Sequence, residues 1–336
     1  MGLSHKNINI IKVLVSIVLI VSLWMFVSQT DLSQVRQSLE DVGFGFGWIV
    51  LITLIGYVFG ALSWRQMLPE DLKISFFRLF YIRLIGENVA TINPSNIIGG
   101  DGMKAYLLQK EDVPYKVSTA SLLMSRLIMM LTQVGIFLLS VLIFFVIKEA
   151  PPLLEKIFLG VFALFGSLTL GIVFLFRMSP QHIILVKLRA LLGRSKFGLQ
   201  VIDVLDKVKN LYLSQPRRFY MAVILASLNF LVGSLEFMVI FHCLGIPIDY
   251  IDALLIDQGV LILKSFGAFI PGQIGVEEYS NKVMFGIVGI TSSALWIAAS
   301  ILRRSRQLFW LLLSIVLYYF IELYPKHTSF RISRSL

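Results

Sequence analysis

Six stretches of this chain, about residues 10–29, 46–66, 118–147, 157–176, 218–243 and 294–322, are mostly apolar and of membrane-spanning length. A helix that crosses a bilayer needs roughly 20 such residues, because hydrocarbon offers no partner for exposed backbone or charge. The whole chain has the same character: 57% of its 336 residues are hydrophobic and 15% charged, with mean hydropathy +0.82. A soluble protein of this length has too little polar surface to cover that apolar content. The expected fold is all-α, a polytopic helical membrane protein.

Basic residues mark the cytoplasmic side of short loops. Lys6 and Lys12 place the N-terminus inside, and Lys326, Arg331 and Arg334 do the same for the C-terminus. From Arg177 to Arg218 there are nine Lys or Arg against two Asp, so segment 178–216 is expected on the cytoplasmic face. Within it, Val201, Val204, Leu205, Val208, Leu211 and Tyr212 recur at helical spacing along one face. That pattern fits a helix lying on the inner leaflet, or one packed on the protein's own cytoplasmic end.

Two polar interruptions break the apolar pattern. "NPSNIIGGDGMK", Asn93 to Lys104, follows the apolar arm Phe76–Ala90, and "PGQIGVEE", Pro271 to Glu278, follows the arm Ala253–Phe269. Loop charges make each a re-entrant broken hairpin, spanning 76–110 and 253–290. The first opens inward and the second outward. The architecture is then six full spans plus two hairpins, or eight spans if the arms cross completely.

The breaks resemble each other. Pro94, Asn96, Ile97, Gly99, Gly100 and Asp101 parallel Pro271, Gln273, Ile274, Gly275 and Glu277, with one extra residue in the first. Ser125-Arg126 and Ser305-Arg306 follow in the next span. The order span, span, hairpin, span occurs twice, so residues 1–150 and 151–336 are expected to form an inverted-topology repeat. Interrupted segments at matching places in two such halves point to a transporter's binding site near the midplane.

The residue types at the breaks suit an anion. A helix restarting after Gly100 or Gly275 directs unpaired N–H groups and partial positive charge at the break. Glycine admits a ligand close to the backbone. Arg126, Arg303 and Arg306 add forked donors matched to phosphate oxygens. A charge at the bilayer centre costs about 2.5–3.5 kcal/mol on insertion scales, so these arginines need acids, water or a charged ligand. The competing reading has Asp101 and Glu277 cap their own helices, with Arg126 and Arg306 paired to them as buried locks. The candidate substrate-binding set is Asn93, Asn96, Gly99, Gly100, Asp101, Lys104, Arg126, Gln273, Gly275, Glu277, Glu278, Arg303 and Arg306, with Pro94 and Pro271 as structural breaks. Glu236 and Asp257 are candidates for proton coupling, with structural pairing the plainer alternative. Asp257 and Lys264 lie seven apart on one helix face. Arg304 is expected to turn away from the site.

Several classes are disfavoured. Cys243 is the only cysteine and the four histidines are scattered, so no metal site or cofactor is expected. No polar domain presents a basic surface to nucleic acid. Trp24, Trp48, Trp64, Trp296 and Trp310 are expected as interfacial anchors or lipid contacts.

The "Gly-Gly-Asp" break after a proline, the later "Pro-Gly-Gln-Ile-Gly-Val-Glu-Glu" and the order of spans resemble the lysylphosphatidylglycerol synthase transmembrane-region family of flippase-like membrane proteins. The likeness covers nearly the whole chain. It implies a bacterial or archaeal plasma membrane, an anionic membrane lipid as partner, and no enzyme activity in this unit. In aminoacyl-phospholipid synthases a soluble domain makes the lipid that the membrane unit moves. Here the sequence stops at Leu336, so lysyl transfer is not carried over, and a lipid-synthesising enzyme is expected as a separate protein. Asn93 and Ser95 stand where the family pattern has Leu and Gly, and Lys104 where Arg is usual, which leaves the head-group preference open. The expected function is a flippase-like transporter of an anionic phospholipid or polyprenyl-phosphate glycolipid. The alternatives are a small-solute secondary transporter and a membrane-embedded lipid-linked glycosyltransferase.

Overall fold

The computed structural model describes residues 42–92, 96–148, 195–267 and 275–323, with isolated residues elsewhere. The first apolar run, part of the fourth, most of the basic stretch before residue 195 and the C-terminal tail lie outside the described residues. Among the described residues there is helix and no strand. The helices are α1 (Gly45–Arg65), α2 (Phe76–Ile92), α3 (Asn96–Gln109), α4 (Tyr115–Ile147), α5 (Lys196–Ser214), α6 (Pro216–Cys243), α7 (Tyr250–Phe266), α8 (Val276–Ile287) and α9 (Ser293–Leu323). The protein is an all-α membrane protein.

Helices α1, α4 and α6 are long and apolar enough to cross a bilayer. Helix α9 has 31 residues but carries Arg303, Arg304 and Arg306 along its length. The arms α2, α3, α7 and α8 have 17, 14, 17 and 12 residues. At 1.5 Å per residue each is about 18–26 Å long, short of a hydrocarbon core of roughly 30 Å.

The broadest helix contact is between α1 and α6. Small residues make it close: Ala61, Ala222 and Ala226 are fully buried. Ser63 donates a hydrogen bond to the Ala222 carbonyl at 2.9 Å. Between helices in lipid the hydrophobic drive is weak, so close backbone approach and such hydrogen bonds hold the pair. At one end of this pair Arg218 donates to the carbonyls of Gln66 and Leu68.

Two apolar clusters organise the bundle. One joins Trp64 of α1, Leu122 of α4 and Ala222 of α6 with Leu79, Ile82 and Leu108 of the α2–α3 hairpin. The other joins Ile49 of α1, Phe137 of α4 and Phe237 of α6 with Leu255, Met284 and Phe285 of the α7–α8 hairpin. The hairpins therefore pack at opposite ends of the same long helices. Helix α2 touches α1 and α9, and α3 touches α4; correspondingly α7 touches α6 and α4, and α8 touches α9.

Glycine sets how tightly each hairpin closes. A Cβ on Gly100 of α3 would lie 2.5 Å from the Ala90 Cβ and 2.6 Å from the Gly86 carbonyl of α2. On Gly259 of α7 it would lie 2.2 Å from the Met284 side chain of α8.

Helix α5 starts at Ser195, whose hydroxyl accepts the Gly198 N–H at 2.9 Å, as an N-cap serine does. It buries Val204 and Val208 in the cluster at the α2–α3 end, so it packs on the protein's own surface. Leu199 and Leu213 stay exposed. Two of the tryptophans are core rather than anchors, since Trp64 and Trp310 are 1% and 3% exposed. Trp48 is 62% exposed and keeps the expected lipid-facing place.

Candidate functional site

Helix α2 ends at Ile92 and α3 starts at Asn96, not after Gly100. Gly99 and Gly100 thus lie inside the helix. Gly100 serves close packing on α2, and its N–H is not at an open helix end. Asn93, Pro94, Pro271 and Gln273 lie outside the described residues, as does the side chain of Asn96. The second break ends as expected, with Gly275 as the N-cap of α8 at φ +76°. The Gly275 N–H is nevertheless occupied, because Glu278 accepts it at 2.8 Å.

Asp101, one turn into α3, does not cap its helix. It accepts hydrogen bonds from Arg126 of α4 at 2.8 and 2.9 Å and from Lys104 at 3.2 Å. Lys104 also binds Glu87 of α2 at 2.7 Å, tying the two arms of the first hairpin together. Gly86 makes room for that lysine, since a Cβ there would lie 2.3 Å from its side chain. Arg83 lies 3.7 Å from Glu87, over Gly60 of α1, where a Cβ would come within 2.6 Å of the guanidinium.

These groups line a cleft of about 490 Å³. Helix α4 contributes Leu122, Ser125, Arg126, Met129, Met130 and Gln133, which the 3.6-residue period puts on one face. Helix α7 contributes Leu261, Lys264 and Ser265 from the end nearest the second break. Both hairpins thus meet in one cleft. Its charged lining consists of Arg83, Lys104, Arg126 and Lys264 against Glu87 and Asp101, four bases to two acids. Met130 of the lining is 58% exposed, so the cleft reaches the protein's surface beside α4.

Behind it lies a second, drier cluster. Arg303 sits 3.5 Å from Asp257 and Glu277 and 3.7 Å from Glu236, with every side chain involved no more than 6% exposed. Arg306 pairs with Glu236 and reaches Thr53 at 3.4 Å. The expected lock between Arg306 and Glu277 is therefore replaced. Glu277 instead takes Lys264 at 2.9 Å and Gln307 at 3.1 Å. Along α9, Arg303 faces Glu277 and Arg306 faces α6, one turn away. Arg304 does turn from the cluster, but it is not free, being paired with Glu278. Asp257 accepts from Ser234 at 3.1 Å. With Lys264, which also lines the cleft, three bases meet three acids here, so the cluster neutralises itself. Among the described residues no group of His, Cys, Asp or Glu could hold a metal ion.

The model of the family described as "Lysylphosphatidylglycerol synthase TM region" matches residues 9–315. The chain belongs to this family. No curated protein and no solved structure matches it. Membership in this family is consistent with a lipid-related function in the membrane. Arg83 and Glu87 were not singled out by the sequence motifs, though two charges four apart inside an apolar arm are the signal that marks them.

Away from the cleft, Lys148, just past α4, binds Asp249 at 2.9 Å and also Asp252, both at the start of α7. Burial pushes the Lys148 ammonium down, but its hydrogen bonds to Asp252 and Asp249 outweigh this and hold its pKa above the ordinary lysine value.

Proposed function

We propose that this protein moves an anionic lipid across the membrane, a phospholipid or a polyprenyl-phosphate glycolipid, with the head group held in the cleft between the two hairpins. One observation carries the reading: with Lys264 held by Glu277, Arg83, Lys104 and Arg126 still outnumber Glu87 and Asp101 in a cleft that both hairpins line and that opens beside an exposed Met130. Surplus arginine and lysine at membrane depth call for an anion, and guanidinium forks match phosphate oxygens. The apolar side of the lining, Leu122, Met129, Phe230 and Leu261, suits the first carbons of an acyl or prenyl chain. The interchangeable contacts of α1–α4 and α6–α9 support an inverted repeat, 1–150 against 151–336, that rocks about this site.

The glycosyltransferase reading loses support, because the two break acids do not share the cleft. Asp101 lines it, while Glu277 is 3% exposed behind Lys264. A small-solute transporter keeps one observation in its favour, a volume within the ordinary range for small ligands. The test is reconstitution into liposomes carrying fluorescent phosphatidylglycerol in the inner leaflet, with an impermeant quencher outside. Movement above that in protein-free vesicles is expected. Its absence, together with uptake of inorganic phosphate, would replace the lipid by a small solute.

A further inference from the structure

Lys264 belongs to both charge clusters. It lines the cleft, and its ammonium binds Glu277 at 2.9 Å across the tip of the second hairpin, from the last turn of α7 to the first turn of α8. The first hairpin has the same device with the charges exchanged, an acid on the first arm, Glu87, and a base on the second, Lys104. An anion entering the cleft competes with a carboxylate for each base it reaches.

The two bridges differ in what their rupture leaves behind. A buried carboxylate stripped of its only partner is strongly destabilising. Glu277 escapes that penalty, because Gln307 donates to it at 3.1 Å and Arg303 lies 3.5 Å away. Its Oε1, which faces Arg303, has no hydrogen bond in the present arrangement, and Arg303 has two donor nitrogens, Nε and Nη1, without one. A short move of Glu277 toward Arg303 brings its Oε1 onto the Nε donor now 3.5 Å away. The acid thus has a second place to go.

Resting on the lipid-transport reading above, we infer that the Lys264–Glu277 bridge is a latch that senses occupancy of the cleft: the phosphate of an anionic lipid takes Lys264, Glu277 passes to Arg303, and the arms of the second hairpin come apart. The transfer also links the cleft to α9 and, through Arg303, to Glu236 and Asp257. Cleft occupancy at one hairpin thereby loosens the other, which is the coupling a transporter of two opposed halves requires.

Ser280 reports the state of the latch. It lies one turn after Glu277 on α8 and is 1% exposed, so a thiol there reacts only when α8 separates from its neighbours. In full-length protein with Cys243→Ser and Ser280→Cys, labelling by a soluble maleimide is compared in nanodiscs of phosphatidylcholine with and without phosphatidylglycerol. Phosphatidylglycerol should raise the rate at least about fivefold, the lower end of ordinary allosteric coupling. Adding Lys264→Gln should give the raised rate in both lipids. The exchange Lys264→Glu with Glu277→Lys keeps a bridge but removes the base from the cleft and sets a cation beside Arg303, and should label at one rate in both lipids. A wild-type latch background that moves phosphatidylglycerol in liposomes yet labels at one rate in both nanodiscs overturns the latch and leaves the transport reading standing. A background that neither moves the lipid nor responds to it overturns both. If Lys264→Gln does not fold, the lipid response of the background and the exchange variant still decide.

Discussion

The guanidinium of Arg303 lies over the ring of Phe237, 4.7 Å from its centroid. With Glu236, Asp257 and Glu277 around it, this side chain is held by three carboxylates and one aromatic face. A charge so dry persists because the surrounding acids and the ring quadrupole replace its lost water.

Arg303→Gln leaves three buried acids short of their shared cation. The expected loss is about 3–5 kcal/mol of stability, the usual effect of removing one member of a buried ion pair. Arg304→Gln breaks a more exposed pair with Glu278 and should lose no more than about 1 kcal/mol. Denaturant unfolding in detergent micelles compares the two. Equal losses would contradict the division of α9 into a buried and a wetter face.

Arg126, one of the two arginines lining the cleft, is 31% exposed and pairs with Asp101. Arg126→Gln should reduce the rate of lipid movement in liposomes by about tenfold or more, since a hydrogen bond to a charged group contributes about 1.5–3 kcal/mol. Arg306→Gln removes a partner of Glu236 outside the cleft and should lower thermal stability more than transport rate per folded molecule. The reverse order of effects would move the substrate site from the cleft to the Arg303 cluster.

Gly100→Ala drives a methyl into the Ala90 Cβ and the Gly86 backbone. Backbone cannot yield as a side-chain tip does, so a loss of about 1–3 kcal/mol is expected from overpacking. Gly102, two residues on, has open space where its Cβ would be, and Gly102→Ala should be neutral or slightly stabilising. Thermal melts of the two variants make the comparison. Tolerance of alanine at Gly100 would mean that the hairpin arms sit farther apart.

Lys148 offers a pH test. Its folded pKa is raised above the ordinary lysine value, so folding favours the protonated form. The strap to Asp249 and Asp252 is then fully present below the unfolded pKa of about 10.5 and is lost as pH rises through the folded value. The contribution of this strap to melting temperature should therefore be constant from about pH 7 to 9. Above about 10.5, Lys148→Met and the unsubstituted protein should converge. A difference that grows with pH would reverse the sign.

How much of this was legible beforehand depends on the range of the interaction. The long apolar helices α1, α4 and α6 and the two polar breaks were visible because hydrocarbon acts on each residue where it stands. Asp101 with Arg126 was legible as a pair, since one break acid and one arginine share that stretch. Glu277 was harder. Two arginines on one face of α9 were available to it, and Lys264 competed from α7. Trp64 and Trp310 were misassigned for a related reason, because an indole on a span looks alike in sequence whether it faces lipid or a neighbouring helix.

The chain by itself determined where helix is stable in oil, where it must stop, and that arginines at depth need counter-charge. Which carboxylate answers which arginine was decided only by packing. One helical turn on α9 separates the Glu277 contact of Arg303 from the Glu236 contact of Arg306. That choice is set by how α6, α7, α8 and α9 rotate against one another around glycine-thin contacts such as Gly259 of α7 on Met284 of α8. Charge pairing at membrane depth is decided over a few ångströms, and distances that short exist only after the helices have docked.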